Sequence, residues 1–154
     1  MNTKELVLSS DGTEKTEQIA SSIGARLRGG EIIELSSDLG GGKTTFTRGL
    51  AKGAGSNDVV ASPTFTISKV YAAPQFEIYH FDFYRLPDAG LIAHEVEDLI
   101  GDPQVVIVVE WGGAVEHVLP SNKVNIEISR TGDEGRTLKV TYPEELSYLL
   151  EDLC

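Results

Sequence analysis

The chain has 154 residues, which is long enough for one domain to bury a hydrophobic core without disulfides or structural metals. Its 13 Lys and Arg residues stand against 24 Asp and Glu residues, so the net charge is −11. This excess of acid repels polyanions and disfavours direct binding of RNA by a broad basic face. The single cysteine, Cys154, excludes an internal disulfide and favours a reducing compartment.

A secretory leader has a basic start followed by an apolar stretch, and the first residues of this sequence do not show that pattern. The purest apolar run, Val105 to Val109, is too short to span a bilayer. We therefore expect a soluble, cytoplasmic protein without membrane contact. No repeat, low-complexity tract or long linker divides the chain, which predicts one domain over residues 1–154.

The first predicted elements are a helix and a strand. Asp11 and Glu14 resemble a capping pair, and apolar residues at four-residue steps predict an amphipathic helix over Thr13 to Arg28. Glu31 to Ser36 has the composition of a strand, and a glycine-rich loop follows it.

After the loop, Lys43 to Lys52 is predicted to be a helix that ends at Gly53 or Gly55. Thr64 to Tyr71 and Phe76 to Tyr84 then read as an antiparallel pair of strands joined by a short turn.

The second half of the chain mixes a helix with three strands. A helix is predicted from Pro87 to about Ile100. Val105 to Val109 is continuously apolar, as expected for a strand buried on both faces of a parallel sheet. Val124 to Ser129 and Thr137 to Thr141 flank another hairpin turn. The predicted fold class is α/β, a three-layer sandwich with a mixed, largely parallel sheet and antiparallel hairpins.

The glycine-rich loop is SDLGGGKT, Ser37 to Thr44, which fits the phosphate-binding pattern GxxxxGK[ST] except that Ser37 replaces the first glycine. Strand, loop and helix follow in the order that this motif requires. The backbone N–H groups that would cradle phosphates belong to Gly40, Gly41 and Gly42. Lys43 adds a point charge for the outer phosphates, and Thr44 supplies a hydroxyl for Mg²⁺. Glycine is obligatory at position 37 only if φ is positive there.

Carboxylates are expected at the carboxyl ends of the neighbouring strands. Glu110 ends the most apolar strand, where it can hold magnesium directly or through water. The strand period of two puts His80, Asp82 and Tyr84 on one face, and only one face of this strand is expected to suit the core. Asp82 is a candidate to position or deprotonate the attacking water, whereas His80 is expected to be a structural hydrogen-bonding residue.

The nucleotide is expected to be ATP. Asn122 to Asn125 resembles the guanine-reading Asn-Lys-x-Asp element, but Asn125 cannot accept two donors from guanine as a carboxylate does.

Two other functions are compatible with the same glycine-rich loop. A small-molecule kinase would need a substrate pocket and usually an arginine-bearing lid, and no arginine-rich segment is evident. An interaction module with a degenerate, non-hydrolysing loop has Ser37 as its only support.

Four segments, in order and spacing, resemble the bacterial TsaE family of small P-loop ATPases, which are needed to make threonylcarbamoyladenosine in transfer RNA. They are DLGGGKTTFTRGL (Asp38 to Leu50), SPTFT (Ser62 to Thr66), YHFDFYRL (Tyr79 to Leu86) and VEW (Val109 to Trp111). The likeness runs from about residue 6 to residue 140 and implies a P-loop NTPase-like fold, with residues 1–154 as a single P-loop ATPase domain. Three places depart from the family pattern: Ser37, Gly112-Gly113 and the stretch 88–100.

The resemblance also implies roles for individual residues. Gly40 to Thr45 would hold the phosphates, Thr44 and Glu110 would hold magnesium, and Asp82 would be the catalytic carboxylate beside Lys43. SPTFT would be a switch-like loop. The other positions implied near the nucleotide are Thr13, Trp111, Gly112, Gly113 and Gly135.

The mechanism that the resemblance implies is indirect. ATP binding and hydrolysis would reset a complex of the TsaD and TsaB proteins, which transfers the threonylcarbamoyl group to the tRNA. This chain would reach the tRNA only through that complex, in keeping with its acidic composition. Its ATPase activity alone is expected to be weak, because catalysis by positioning depends on groups that a partner completes.

Overall fold

The computed structural model describes residues 3–37, 42–60, 68–83, 90–110 and 116–153. Strands and helices alternate along most of this part of the chain. In chain order they are β1 (Thr3–Ser10), α1 (Thr13–Gly24), β2 (Ile32–Ser37), α2 (Lys43–Gly53), β3 (Ser68–Ala72), β4 (Glu77–Asp82), α3 (Gly90–Leu99), β5 (Val105–Glu110), β6 (Val124–Thr131), β7 (Gly135–Pro143) and a C-terminal 3₁₀ helix (Glu144–Leu153).

One seven-stranded sheet has the order β1-β7-β6-β2-β5-β4-β3. Its centre is parallel, because β6, β2, β5 and β4 pair in that sense. Its edges are antiparallel hairpins, β3 with β4 and β6 with β7, and β1 is added antiparallel to β7. The predicted α/β class and both predicted strand pairs are confirmed. In the part of the chain described, no helix is long and apolar enough to cross a membrane.

β1 is a strand that the sequence analysis did not predict. It lies at the edge of the sheet, where Leu6 and Leu8 pack against the core and Val7 between them is 57% exposed. Two inward apolar residues are too short an alternation to separate a strand from a loop. Pairing with β7 along its whole length therefore makes this segment a strand.

The two faces of the sheet are covered by different helices. Ile78 of β4 packs in the cluster that includes residues of α1 and α2, whereas Phe81 and Phe83 pack in a second cluster with α3. All six residues of β5 are buried, which confirms the predicted strand. The expectation that only one face of the β4 segment suits the core is wrong, because β4 is an interior strand covered on both sides. His80, on the face of Ile78, is completely buried.

α1 and α2 are parallel and unusually close. Gly49 of α2 faces Glu17, and Gly53 faces Ser21 one turn further along both helices. A Cβ atom on Gly53 would lie 2.1 Å from the Ser21 carbonyl oxygen, so only glycine permits this approach. The packing brings the N-termini of the two helices to the same end of the sheet.

The ends of α1 differ from the prediction. The predicted capping pair at Asp11 is wrong: the N-cap is Gly12, and no side chain in the described part of the chain caps the helix. Ser10 Oγ instead donates to the Gly12 carbonyl oxygen over 2.8 Å. The helix ends at Gly24 rather than at residue 28, because the N–H groups of residues 28 and 29 bind the Glu31 carboxylate instead of helix carbonyls.

The end of α2 agrees with the prediction. Gly53 is the last helical residue, and Gly55 has the left-handed φ of 95° that favours glycine. The Ser56 N–H donates to the Ala51 carbonyl oxygen over 3.0 Å, which closes the helix. The parts of the predicted strands and of the α3 helix at 64–67, 84 and 87–89 lie outside the described residues.

Candidate functional site

Lys43 is the first residue of α2 and follows Gly42, whose φ of 104° favours glycine. The lysine is buried, and its Nζ donates a hydrogen bond to Ser37 Oγ over 2.9 Å. Ser37 ends β2 and pairs with Ile128 of β6, so its backbone is that of a strand, with negative φ. Glycine is therefore not required at this position, and the serine hydroxyl holds the lysine.

The first turn of α2 carries the side chains that follow the glycines of the motif. Thr44 and Thr45 are half-buried, and the first turn of the helix has no acidic residue. No side chain among the described residues caps its N-terminus. The first helical bond runs from the Phe46 N–H to the Gly42 carbonyl oxygen over 2.9 Å. The earlier N–H groups and the positive end of the helix dipole attract anions. The predicted phosphate-binding residues found together here are Gly42, Lys43, Thr44 and Thr45.

Asp82 and Glu110 end two neighbouring parallel strands, β4 and β5, and lie opposite each other in the register. On the other side of β5, Leu35 of β2 is opposite Glu110. Both predicted carboxylates are thus at the end of the sheet where β2 leads into the loop. Glu110 is only 2% exposed, whereas Asp82 is half-buried. Their chemical roles stay predictions.

A buried chain of hydrogen bonds leads from β3 to Glu110. The Tyr71 hydroxyl is 3.1 Å from His80 Nδ1, and His80 Nε2 contacts Glu110 Oε2. Tyr71 is 2% exposed and His80 is fully buried. The expectation that His80 makes structural hydrogen bonds agrees with these contacts, but one of its partners is a predicted site residue.

A second part of the site is a small cavity between the two helix N-termini and the β6–β7 turn. Its lining residues are Gly12, Thr13, Thr16, Gly42, Thr45, Glu134 and Arg136. Thr13, predicted near the nucleotide, is among them, and Gly135 lies between two of them in sequence. The guanidinium of Arg136 reaches Gly42, since a Cβ atom on that glycine would be 3.7 Å from its Nε.

Sequence reasoning missed Arg136, Glu134 and Thr16. The sequence offered only a weak signal, a charged hairpin turn of which Gly135 alone was singled out. Arg136 adds a second cation close to Lys43, at the start of α2. Its Nη1 also donates to the Gly135 carbonyl oxygen over 2.8 Å, which orients the side chain.

Several predicted positions lie outside the described residues, namely Gly40, Gly41, Trp111, Gly112, Gly113, the SPTFT segment and Tyr84. The rejected guanine-reading segment, Asn122 to Asn125, lies in the described part of the chain. Lys123 is buried there, with Nζ 3.0 Å from Glu34 and 2.8 Å from Glu116. Burial lowers the pKa of Lys123, but the hydrogen bonds to the two carboxylates outweigh this effect. The pKa of Lys123 is therefore above its ordinary value. Lys123 therefore stabilises the start of β6.

The donors at the strand ends suit a magnesium ion in type. Mg²⁺ prefers oxygen ligands, keeps several waters and takes one or two protein ligands together with phosphate oxygens. The Thr44 hydroxyl and the Glu110 carboxylate are donors of this kind, and His80 contacts one carboxylate oxygen of Glu110. Among the residues that the structure describes, no three His, Cys, Asp or Glu side chains form a metal-binding group by themselves.

Comparison with known proteins identifies relatives over almost the whole chain. The family model "Threonylcarbamoyl adenosine biosynthesis protein TsaE" matches residues 10–138. The tRNA threonylcarbamoyladenosine biosynthesis protein TsaE of Bacillus subtilis is 40% identical over 142 residues, 90% of this chain and 86% of that protein. The protein of the same name from Streptomyces coelicolor is 42% identical over 124 residues, 75% of this chain and 82% of that protein.

A solved structure has the same architecture. A crystal structure of Bacillus subtilis YdiB superimposes with a TM-score of 0.80 at 34% sequence identity. The match covers 99% of this chain and 96% of that one.

Proposed function

The chain belongs to the TsaE family and acts in tRNA threonylcarbamoyladenosine biosynthesis, and from this premise we propose that it does so as a magnesium-dependent ATPase. The observation that carries the proposal is the meeting of three groups at one end of the sheet. Lys43 begins α2, and Asp82 and Glu110 lie opposite each other at the ends of two neighbouring strands.

Phosphate binding is assigned to the loop and the first turn of α2. The N–H groups of Gly40 to Thr45 would surround the phosphates, and the Lys43 ammonium would move from Ser37 Oγ to an outer phosphate. The small cavity lined by Thr13 and Arg136 lies at the same helix end, so its lining residues would face a nucleotide bound to the loop. A guanidinium there adds positive charge beside a polyphosphate.

Magnesium is assigned to the Thr44 hydroxyl and the Glu110 carboxylate. When bound, the ion neutralises charge on the phosphate oxygens. The protein contributes a buried carboxylate that is already desolvated and a hydroxyl on a rigid first turn. Both groups sit on regular elements, which keeps their positions more precise than loop residues would be.

Asp82 is assigned to the attacking water. Its carboxylate, half-buried beside Glu110, would orient the water and accept its proton as the bond to the γ-phosphorus forms and the bond to the leaving ADP breaks. The products are ADP and inorganic phosphate. General-base assistance of this kind contributes about 10²–10⁴-fold.

The partners of the reaction are proposed to be the TsaD and TsaB proteins. Hydrolysis would reset their complex, and the tRNA would be reached only through it. The net charge of −11 favours a protein partner over direct contact with the RNA backbone. Turnover by the chain alone is expected to be slow and to rise when the partner completes the site.

The first test is calorimetry of Mg²⁺-ATP binding, with GTP as the control nucleotide and with Lys43→Ala and Lys52→Ala as matched variants. Lys52 lies in the last turn of the same helix and is exposed. We expect Lys43→Ala to lose binding and Lys52→Ala to bind as the original chain does. Phosphate release is then measured with and without TsaD and TsaB.

Three results would contradict the proposal. Absence of Mg²⁺-ATP binding, both alone and with TsaD and TsaB, would favour a non-hydrolysing interaction module. Phosphate found on a metabolite rather than in solution would favour a small-molecule kinase. Equal loss of affinity in both lysine variants would mean that the start of α2 does not hold the phosphates.

A further inference from the structure

The hydrogen-bonded chain that ends on Glu110 has no role in the mechanism above. Its members come from three strands: Tyr71 from β3, His80 from β4 and Glu110 from β5. All three side chains are buried, so water does not compete for their hydrogen bonds. Such a network requires each donor to meet an acceptor, because an unpaired polar group is costly at this depth.

We infer that Tyr71 and His80 are positioning residues that hold the Glu110 carboxylate in the orientation needed for magnesium-dependent nucleotide binding, an inference that rests on the proposed function. The inference includes the direction of both hydrogen bonds, with the Tyr71 hydroxyl as the donor to His80 Nδ1. A tyrosine hydroxyl that donates to Nδ1 leaves the proton of a neutral imidazole on Nε2. Nε2–H then donates to Glu110 Oε2, which fixes the rotation of the carboxylate and leaves Oε1 for the cation.

The packing adds to this control. The rings of Tyr71 and His80 are 5.9 Å apart between centroids with an interplanar angle of 42°. Tyr71 packs in the core cluster of α1 and α2, and His80 is fully buried. His80 therefore cannot change its orientation without displacing neighbouring side chains. Hydrogen-bonding partners behind a metal ligand typically alter metal affinity by about 10–100-fold when they are removed.

Two substitutions at one position test the inference. In His80→Gln the side-chain amide nitrogen reaches about as far as Nε2, so a donor to Glu110 is kept. In His80→Asn the amide nitrogen reaches only as far as Nδ1, so that donor is lost. Tyr71→Phe keeps the ring and removes the hydroxyl. Ile78→Val, on the same face of β4, is the control for a small loss of core packing.

The readout is the Mg²⁺ concentration that gives half-maximal ATP binding, compared with ATP binding in excess EDTA. We expect His80→Asn to raise this concentration by about tenfold or more, with the EDTA affinity unchanged within about twofold. His80→Gln should recover most of the loss, Tyr71→Phe should show a smaller increase, and Ile78→Val should show none. Thermal unfolding of each variant verifies that it is folded.

A second readout needs neither nucleotide nor metal. The chain has three histidines, so ¹⁵N-histidine NMR of the metal-free protein, assigned with the His80→Asn variant, reports the tautomer of His80. We expect the proton on Nε2 in the original chain and a shift toward a mixture in Tyr71→Phe. If the original chain fails to bind Mg²⁺-ATP both alone and with TsaD and TsaB, the proposed function fails, whatever the tautomer.

Other outcomes overturn the positioning role alone. Unchanged Mg²⁺ dependence in His80→Asn, equal effects of the asparagine and glutamine variants, or equal loss of affinity in EDTA would each make the network structural. So would a proton on Nδ1, or on both nitrogens, in the original chain. If His80→Asn does not fold, Tyr71→Phe decides: no change in Mg²⁺ dependence and no change in tautomer would overturn the inference.

Discussion

Two glutamates are almost completely buried at opposite ends of the sheet, and their surroundings differ. Glu31 is 4% exposed and precedes β2, whereas Glu110 is 2% exposed and ends β5. Both oxygens of Glu31 are occupied: the carboxylate accepts the N–H groups of Arg28 and Gly29, each over 2.8 Å, and the Tyr148 hydroxyl over 2.6 Å. Glu110 is contacted through one oxygen, by His80.

The difference separates a structural carboxylate from one that we propose to bind a ligand. Glu31 accepts the N–H groups of Arg28 and Gly29, in the segment between α1 and β2, and the Tyr148 hydroxyl ties the C-terminal 3₁₀ helix to the same carboxylate. Among the residues that the structure describes, Glu110 contacts one donor, His80, and it lies beside Asp82 at the carboxyl end of the sheet, where ligands of open α/β sheets bind. Burial alone therefore does not identify a functional carboxylate, and the proposed role of Glu110 rests on its place at a strand end.

The largest expected effect is on turnover at the Glu110 end. Asp82→Asn should reduce phosphate release by about 10²–10⁴-fold, or about 3–5 kcal/mol of barrier, because the amide cannot accept the proton of the attacking water. Mg²⁺-ATP affinity should stay within about twofold. Single-turnover phosphate release with TsaD and TsaB measures the rate, and exposed Asp98→Asn on α3 is the control.

An Asp82→Asn variant that kept its rate but lost folding stability would undo the contrast between the two ends. That result would mean that Asp82 stabilises the fold, as Glu31 does, and does not take part in hydrolysis.

The next effect is on folding at the Glu31 end. Glu31→Gln places an NH₂ group where the carboxylate accepted hydrogen bonds, so at least one buried donor loses its partner. The free energy of unfolding should fall by about 2–3 kcal/mol, measured by chemical denaturation, with Mg²⁺-ATP affinity unchanged. Glu110→Gln is the matched variant. Its free energy of unfolding should fall only slightly, whereas its Mg²⁺-ATP affinity should fall because a magnesium ligand has lost its charge.

If the two glutamine variants lost stability and affinity to the same extent, the distinction drawn from their hydrogen bonds would be wrong.

The smallest effect concerns pH. Burial, and then the hydrogen bond to Glu31, raises the pKa of Tyr148 above its ordinary value of 10.0. Because the folded state binds this proton more tightly than the unfolded state, the stabilisation is complete below about pH 10 and is lost as the pH rises through the folded-state pKa. Tyr148→Phe should cost about 1 kcal/mol at pH 8, and less at pH 11.

Denaturation of both proteins at pH 8 and pH 11 measures this difference, and the other tyrosines cancel in the comparison. A difference that stayed constant or grew with pH would show that the Tyr148 hydroxyl does not stabilise the fold through Glu31.

Much of the site was predictable because its parts are local in the chain. The glycines, lysine and threonine between Ser37 and Thr45 are contiguous, and a strand before them and a helix after them follow from hydrophobic periodicity. The apolar run ending at Glu110 predicted a buried parallel strand, which the structure has. Short-range pattern and backbone preference suffice for such features.

Other features depended on which strands became neighbours. His80 and Glu110 are 30 residues apart in the chain, and only the parallel pairing of β4 with β5 brings them into contact. Arg136 reaches Gly42 because the β6–β7 hairpin and α2 meet at one end of the sheet. Composition and periodicity do not encode strand order, since the same alternation suits several neighbours. Loop motif, helices and central strands thus followed from local sequence, while the His80 contact and the cavity of Arg136 required long-range packing.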